Sequence, residues 1–217
     1  MFYDAMKADH GLPHDPTNAL VSPRPIGWIS SLSKDGVRNL APYSYFNLVA
    51  SRPPIVMFGS GFVKDSQRNI EETGEFVCNI ANWDLREEVN ASSVQVPPEV
   101  DEFDLVGLEA AESTLVRPPR VKRALAALEC KYVRTIELPS GTNDPHFFSM
   151  IIGRVVGVYI DESVIRDGIV DVTRIKPIAR LGYQDFSVVN QVFALARPTM
   201  PPVPNVAEQQ VSTAGQK

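Results

Sequence analysis

Two short stretches of this chain carry residue types that can do chemistry together. The first is Gly36-Val37-Arg38-Asn39-Leu40-Ala41-Pro42-Tyr43-Ser44-Tyr45-Phe46-Asn47, which mixes side-chain amides, hydroxyls and closely spaced aromatics. Asn39, Ser44 and Asn47 would each need a hydrogen-bond partner if buried, so the stretch cannot all be core. It suits a flat ligand with a polar edge, with main-chain groups and hydroxyls for the edge and rings for the faces. The second is Lys64-Asp65-Ser66-Gln67-Arg68-Asn69. It reads as the start of a short helix, with Asp65 or Ser66 as cap and Gly74 as stop. A helix start offers free N–H groups and a partial positive charge, which suits a phosphate. Ser66 adds a hydroxyl, Lys64 or Arg68 a full charge, and Asn69 can hydrogen-bond across the loop.

Alone, the second stretch is an ordinary capped surface helix. Beside the first it completes what a flavin mononucleotide (FMN) needs: cations and N–H donors for the phosphate, donors and acceptors for the isoalloxazine edge, and one open ring face. Other chemistries find less support. His10 and His14 lack further ligands at metal-site spacing. Glu99, Asp101, Glu102 and Asp104 read as a solvated acidic loop rather than paired catalytic carboxylates. No Gly-x-Ser-x-Gly supports acyl transfer.

The elements that must position these residues are mostly strands. Asp35-Gly36 between two extended segments predicts a hairpin, with strands over about 26–33 and 37–45 and a turn at 34–36. Pro53-Pro54 breaks the chain before a short apolar strand over 55–60. Further strands are predicted over 75–81, 128–138, 147–160 and 177–182, and helices over 64–74, 83–91 and 186–195, with one or two helical turns over 121–127. The 147–160 strand is apolar on both faces, so burial of both is expected, centrally or at a subunit contact; its glycines favour a bent strand. Strand and helix do not alternate and no Gly-x-Gly-x-x-Gly occurs, which disfavours a doubly wound parallel sheet. A small antiparallel barrel with short helical insertions fits best.

At 217 residues and 44% hydrophobic content the chain can bury one sizeable core. A net charge of −5 argues against nucleic-acid binding. Cys78 and Cys130 fall in predicted strands and read as buried apolar side chains, not a disulfide. With neither a secretory signal nor a membrane-length apolar run, a cytoplasmic location without membrane association is expected.

The chain resembles the flavin reductase-like family of FMN-binding split-barrel proteins. The resemblance rests on Pro23-Arg24-Pro25-Ile26-Gly27-Trp28-Ile29-Ser30-Ser31, the Asp35 to Asn47 stretch, Pro53-Pro54, Lys64-Asp65-Ser66 with Asn69, Gly74-Glu75-Phe76-Val77, Asp101-Glu102-Phe103, Arg117-Pro118-Pro119-Arg120-Val121, Leu128-Glu129-Cys130 and Arg180-Leu181-Gly182, and covers about residues 20 to 185. It implies a mainly β, Greek-key split barrel, placed here over 23–195; composition marks 1–22 as a polar N-terminal extension and 196–217 as a proline-rich arm with a flexible tail. It also implies a homodimer with FMN near the subunit interface. Phosphate contacts would come from Lys64, Ser66 and Asn69, with Asp65 beside them, and ring or ribityl contacts from Ser30, Ser31, Asn39, Ala41, Pro42, Tyr43, Ser44 and Asn47. Arg24 is a further phosphate or dimer contact.

The activity implied is NAD(P)H:flavin reductase, with hydride passing from nicotinamide to flavin N5. The electrons would go on to oxygen, a partner monooxygenase or another acceptor. Family reductases often carry Gly-Asp-His before a Phe-x-Gly strand; this chain has Asp144-Pro145-His146 without the glycine. His146 on the nicotinamide side and His146 as a flanking residue both stay open. So do two alternatives: a tightly bound FMN carrier or organic-substrate enzyme without nicotinamide use, and a non-catalytic binding module.

Overall fold

The computed structural model describes residues 1–138 and 148–198. The first half runs α1 (Thr17–Leu20), β1 (Arg24–Pro25), β2 (Gly27–Leu32), β3 (Arg38–Tyr43), β4 (Phe46–Ser51), β5 (Pro54–Gly61), α2 (Asp65–Thr73), β6 (Glu75–Ile80) and α3 (Arg86–Ala91). Then follow α4 (Glu102–Leu105), β7 (Ala110–Ala111), β8 (Arg120–Val121), β9 (Ala126–Leu138), β10 (Phe148–Ile160), β11 (Ile165–Arg166), β12 (Ile169–Val170), α5 (Val172–Ile175), β13 (Ile178–Arg180) and β14 (Phe186–Val188).

Seven strands form one antiparallel sheet in the order β3-β2-β6-β9-β10-β5-β4. One apolar cluster joins Ile29, Tyr43, Phe46, Phe58, Phe76, Cys130 and Ile151, so the sheet must curl around a shared interior. The bond from the Gly59 N–H to the Tyr45 carbonyl (2.7 Å) extends the β4–β5 ladder by one step, and β3 and β4, the two ends of the sheet, do not pair. The result is the expected mainly β split barrel. A second cluster lies outside it, where α3 and α4 cover β2: Trp28, Leu40, Leu85, Val89 and Phe103. Ile29 points inward and Trp28 outward, so β2 is buried on both faces.

The Asp-Gly hairpin forms as predicted. Gly36 takes φ +86°, and Ser33 and Val37 close the turn. The long β10 is bent, with register shifts at Ile152/Gly153 and Val155/Gly157. At Gly153 a Cβ would lie 2.2 Å from the Phe76 ring, so only glycine lets that ring fill the barrel. Cys78 and Cys130 are free, buried thiols in the same core, as expected.

Within one copy β10 is buried on one face: Ile151 and Val155 are covered, while Phe148, Val156 and Val158 are exposed, which leaves a subunit contact as the way to cover the second face. Two expectations are corrected. Residues 121–127 are not helical. Val121 belongs to β8, and its N–H donates to the buried Asn79 Oδ1 at 2.8 Å. Residues 186–195 contain β14 instead of a helix, because Phe186–Val188 pairs with Ile178–Arg180. The β4 strand was not anticipated. The turn at 139–145, His146 and the residues beyond 198 lie outside the described residues.

Candidate functional site

A groove of about 850 Å³ opens where the barrel is split. Its floor is Asn39 and Ala41 to Tyr45. One wall is the β5–α2 connection with Gly59, Gly61, Phe62, Val63 and Lys64; the other is the segment from Ser92 to Pro98. The Leu40 N–H points away from β2, since it donates to Glu102. By strand alternation Pro42 faces outward too, which is where a residue lacking an N–H costs the ladder nothing.

Beneath the floor lies a closed polar network. Asn39 Nδ2 donates to Glu102 Oε1 (2.9 Å), and the Leu40 N–H to Glu102 Oε2 (3.0 Å). The Ser66 and Ser31 hydroxyls donate to Asn39 Oδ1 (2.7 and 3.3 Å), and Asn69 Nδ2 donates to Ser31 (3.2 Å). All five side chains are buried. They bind β2, β3, α2 and α4 together at the β3 edge of the sheet, and so fix the groove's shape. Burial raises the Glu102 carboxyl above its ordinary range; the donors from Leu40 and Asn39 offset part of that cost.

The rim is different. At the start of α2 Lys64 is the N-cap residue, extended (φ −98°, ψ 172°), and no side chain caps the helix. The expected capping by Asp65 or Ser66 is not made. Asp65 lies one residue into the helix and pairs with Arg68 (2.6 Å), and Ser66 turns inward to Asn39. The first N–H groups of α2 are therefore left to whatever occupies the groove. Gly74 ends the helix as predicted, at φ +76°. Just before α2, Phe62 holds φ +63°, a left-handed backbone that is uncommon away from glycine and tends to cluster at ligand sites.

The structure thus brings Asn39, Ala41, Pro42, Tyr43, Ser44, Lys64, Asp65 and Ser66 to one groove. Ser31 and Asn69 lie under it, in the network. The Tyr43 ring points into the barrel against Phe58 (4.6 Å), so only its backbone can meet a ligand ring. Its buried hydroxyl lies by Ser60 and Ser66 without a well-formed hydrogen bond, and burial raises its pKa. Three candidates sit elsewhere. The Ser30 hydroxyl donates to the Pro119 carbonyl (2.5 Å), Asn47 accepts from its neighbour Leu48 (2.9 Å), and Arg24 lines an adjoining chamber.

Glu102 is the main residue that sequence reasoning missed. The acidic segment is not simply a solvated loop: Asp101 caps α4 and pairs with Arg38, and Glu102 is buried. Phe103, fully buried amid the acids, is the signal that could have revealed an anchored turn. Phe62 and the Ser92–Pro98 wall carried no such signal.

Known proteins match this chain. A relative from Aquifex aeolicus, itself uncharacterized, is 35% identical over 169 residues, covering 75% of this chain and 83% of its own. The solved nitrilotriacetate monooxygenase component B from Bacillus cereus shares 32% identity at a TM-score of 0.80, covering 90% of this chain and 98% of that one. The 2-nitrobenzoate 2-nitroreductase NbaA of Pseudomonas fluorescens shares 27% at a TM-score of 0.79, covering 94% and 100%. The family model for the flavin reductase like domain matches residues 20–178, so this split barrel, with its groove at the open seam, belongs to the flavin reductase like family and is a flavin-related oxidoreductase.

Proposed function

We propose that the chain is an FMN-dependent oxidoreductase, a reductase that takes reducing equivalents from NADH or NADPH and hands them to an acceptor. The observation that carries this reading is the uncapped start of α2, with Lys64 beside it, in the same groove as the free edge of β3. The residues present fit the group. The α2 N–H groups and Lys64 match a phosphate dianion, and the outward carbonyls of Leu40 and Pro42 with the Ser44 hydroxyl suit a polar ring edge. When bound, the flavin supplies the two-electron chemistry. The chain's own residues hold and orient it, and none need act as acid or base in hydride transfer.

The likeness to component B of a monooxygenase supports a partner oxygenase as acceptor, and the likeness to a nitroreductase supports a small organic one. A homodimer is part of the proposal, supported by the apolar patches that one copy leaves uncovered, Phe148, Val156 and Val158 on β10 and Leu48 and Val49 on β4. The test is an absorbance spectrum of purified protein followed by anaerobic titration with each nicotinamide. FMN binding and rapid bleaching are expected. Protein that binds no FMN would refute the reading; binding without bleaching would leave the carrier or organic-substrate alternative.

A further inference from the structure

Beside the groove lies a smaller chamber of about 370 Å³. The two share Pro42, Ser44, Tyr45 and Ser93, so a molecule in the groove has direct access to it. One wall is the small sheet of β1, β13 and β14. In that sheet Arg24 stands directly opposite Arg180. Opposite residues on an antiparallel ladder project to the same face with Cβ atoms about 5 Å apart, and like charges so placed repel.

Several other arginines have acidic partners, although Arg120 is held by carbonyls and a ring as these two are. Arg38 pairs with Asp101 and Asp104, Arg117 with Glu75, and Arg123 with Glu88. Among the described residues, neither Arg24 nor Arg180 has a carboxylate within 4.0 Å. Neutral groups hold them instead. Arg24 donates to the carbonyls of Asn18, Val21 (2.7 Å) and Leu181 (2.8 Å). Arg180 donates to the Tyr183 carbonyl and lies 4.6 Å over the Phe186 ring. The Arg24 Nε is buried without a partner. Asp15, the one acid on the lining, accepts from the Thr17 N–H at 2.8 Å.

The chamber is built by the fold rather than left by a surface irregularity. A Cβ at Gly182 would fall 2.4 Å from the Ala19 Cβ, so α1 is seated directly on the turn after β13. The Tyr45 hydroxyl donates to Asn18 at 2.9 Å and fastens the N-terminal segment across the opening. Tyr183 holds φ +58° beside the His14 ring.

We propose that this chamber is an anion subsite, in which Arg24 and Arg180 receive the carboxylate or phosphate of the small organic molecule that exchanges electrons in the groove. The inference rests on the flavin reading of that groove. Arg180, with one bond to a carbonyl, keeps N–H groups for an oxyanion, while Arg24, whose terminal nitrogens already hold three carbonyls, contributes mainly its charge; an anion between them relieves their repulsion. Tyr45 and Phe186 supply flat apolar walls beside the charge, which suits a planar ring bearing the anion. The volume is at the small end for ligand pockets, so the chamber takes the anionic end of a molecule whose remainder lies in the groove.

The test is calorimetric titration of the purified full-length protein, with and without FMN, using sodium benzoate, phenyl phosphate and neutral benzamide as probes. One of the two anions is expected to bind at least about tenfold more tightly than benzamide, the scale of a charge-assisted pair. Preference for benzoate identifies a carboxylate-bearing substrate; preference for phenyl phosphate identifies a phosphate-bearing reductant. Arg180→Gln is expected to abolish the preference and Arg180→Lys to restore part of it. Equal binding of benzamide and the anions, no binding of either anion, or a preference that survives both Arg180→Gln and Arg24→Gln would overturn the proposal. Melting curves identify a variant that misfolds, and Lys64→Ala, which removes the competing cation at the start of α2, shows whether the choice of benzoate over benzamide belongs to the chamber: a preference lost in Lys64→Ala would overturn the proposal. That choice is read in the absence of FMN, so failure to bind FMN is a separate result that strikes the groove reading instead.

Discussion

The floor and the rim of the groove use the same kinds of residue in opposite ways. In the floor Ser31, Asn39, Ser66, Asn69 and Glu102 satisfy one another. At the rim the first N–H groups of α2 have no side-chain cap and Lys64 has no acidic partner among the described residues. A satisfied buried network is rigid and its removal is costly; an unsatisfied exposed set costs little while water fills it and gains when a ligand replaces the water. The comparison separates scaffold from site: floor substitutions should change stability first, and rim substitutions should change ligand affinity first.

The sharpest way to break that separation is Asn39→Ala. It removes the partner of Glu102, Ser66 and Ser31 together. Leaving such groups buried and unpaired is expected to lower unfolding free energy by about 2–4 kcal/mol, read by urea denaturation. A loss under about 0.5 kcal/mol, as for an ordinary surface change, would mean the network is not the scaffold.

The next effect should divide two neighbours on one helix turn. Lys64→Ala is expected to weaken FMN binding about tenfold and leave the melting temperature unchanged. Ser66→Ala should cost about 1 kcal/mol of stability, because its hydroxyl serves Asn39. Fluorescence titration and thermal melts on both variants decide; the reverse pattern would put Ser66 on the phosphate and Lys64 outside the site.

Much of the frame was legible because its signals are local. An Asp-Gly turn, a glycine stop at Gly74 and the glycines of a bent strand each act within a few residues. What was not legible depends on distant pairing. β4 exposes Leu48 and Val49, so burial did not mark it; its partner β5 defines it. Phe186–Val188 became a strand because β13 offered an open edge. At the site, residue types and their gathering in one groove were readable, and directions were not. Ser66 was recognised as polar and near a helix start, but whether it faces a phosphate or Asn39 is set by β3. Glu102 looked like one acid among several, because the N–H it accepts belongs to Leu40, far back in the chain.

Glu102 also gives the floor a pH signature. Its folded pKa is raised, first by burial, so the folded state holds its proton more tightly than the unfolded chain. Stability from this group is therefore present below the ordinary glutamate range and lost as pH rises through the window between the unfolded and folded values. Glu75 has the opposite sign. Despite some desolvation, bonds from Lys131 and Arg117 hold it low, so its contribution is present above the ordinary range and lost as pH falls. Denaturation across a pH series should show that the falling limb disappears in Glu102→Gln while the acid limb remains. Identical slopes in both proteins would remove Glu102 from the account.

The smallest expected effect tests the boundary between the two regions. The Tyr43 hydroxyl is buried by Ser60 and Ser66 yet joins no well-formed hydrogen bond, so it belongs to neither the satisfied floor nor the solvated rim. Tyr43→Phe deletes only that oxygen and keeps the ring against Phe58. Removing an unsatisfied buried group is nearly neutral or slightly stabilising, so unfolding free energy should stay within about 0.5 kcal/mol. A loss of about 1 kcal/mol or more would show that the hydroxyl is hydrogen-bonded in solution, and the network would then extend from α2 through Tyr43 into the barrel core. An unchanged stability with altered FMN affinity would instead place that oxygen within reach of the ligand, and the line between scaffold and site would run through a single side chain.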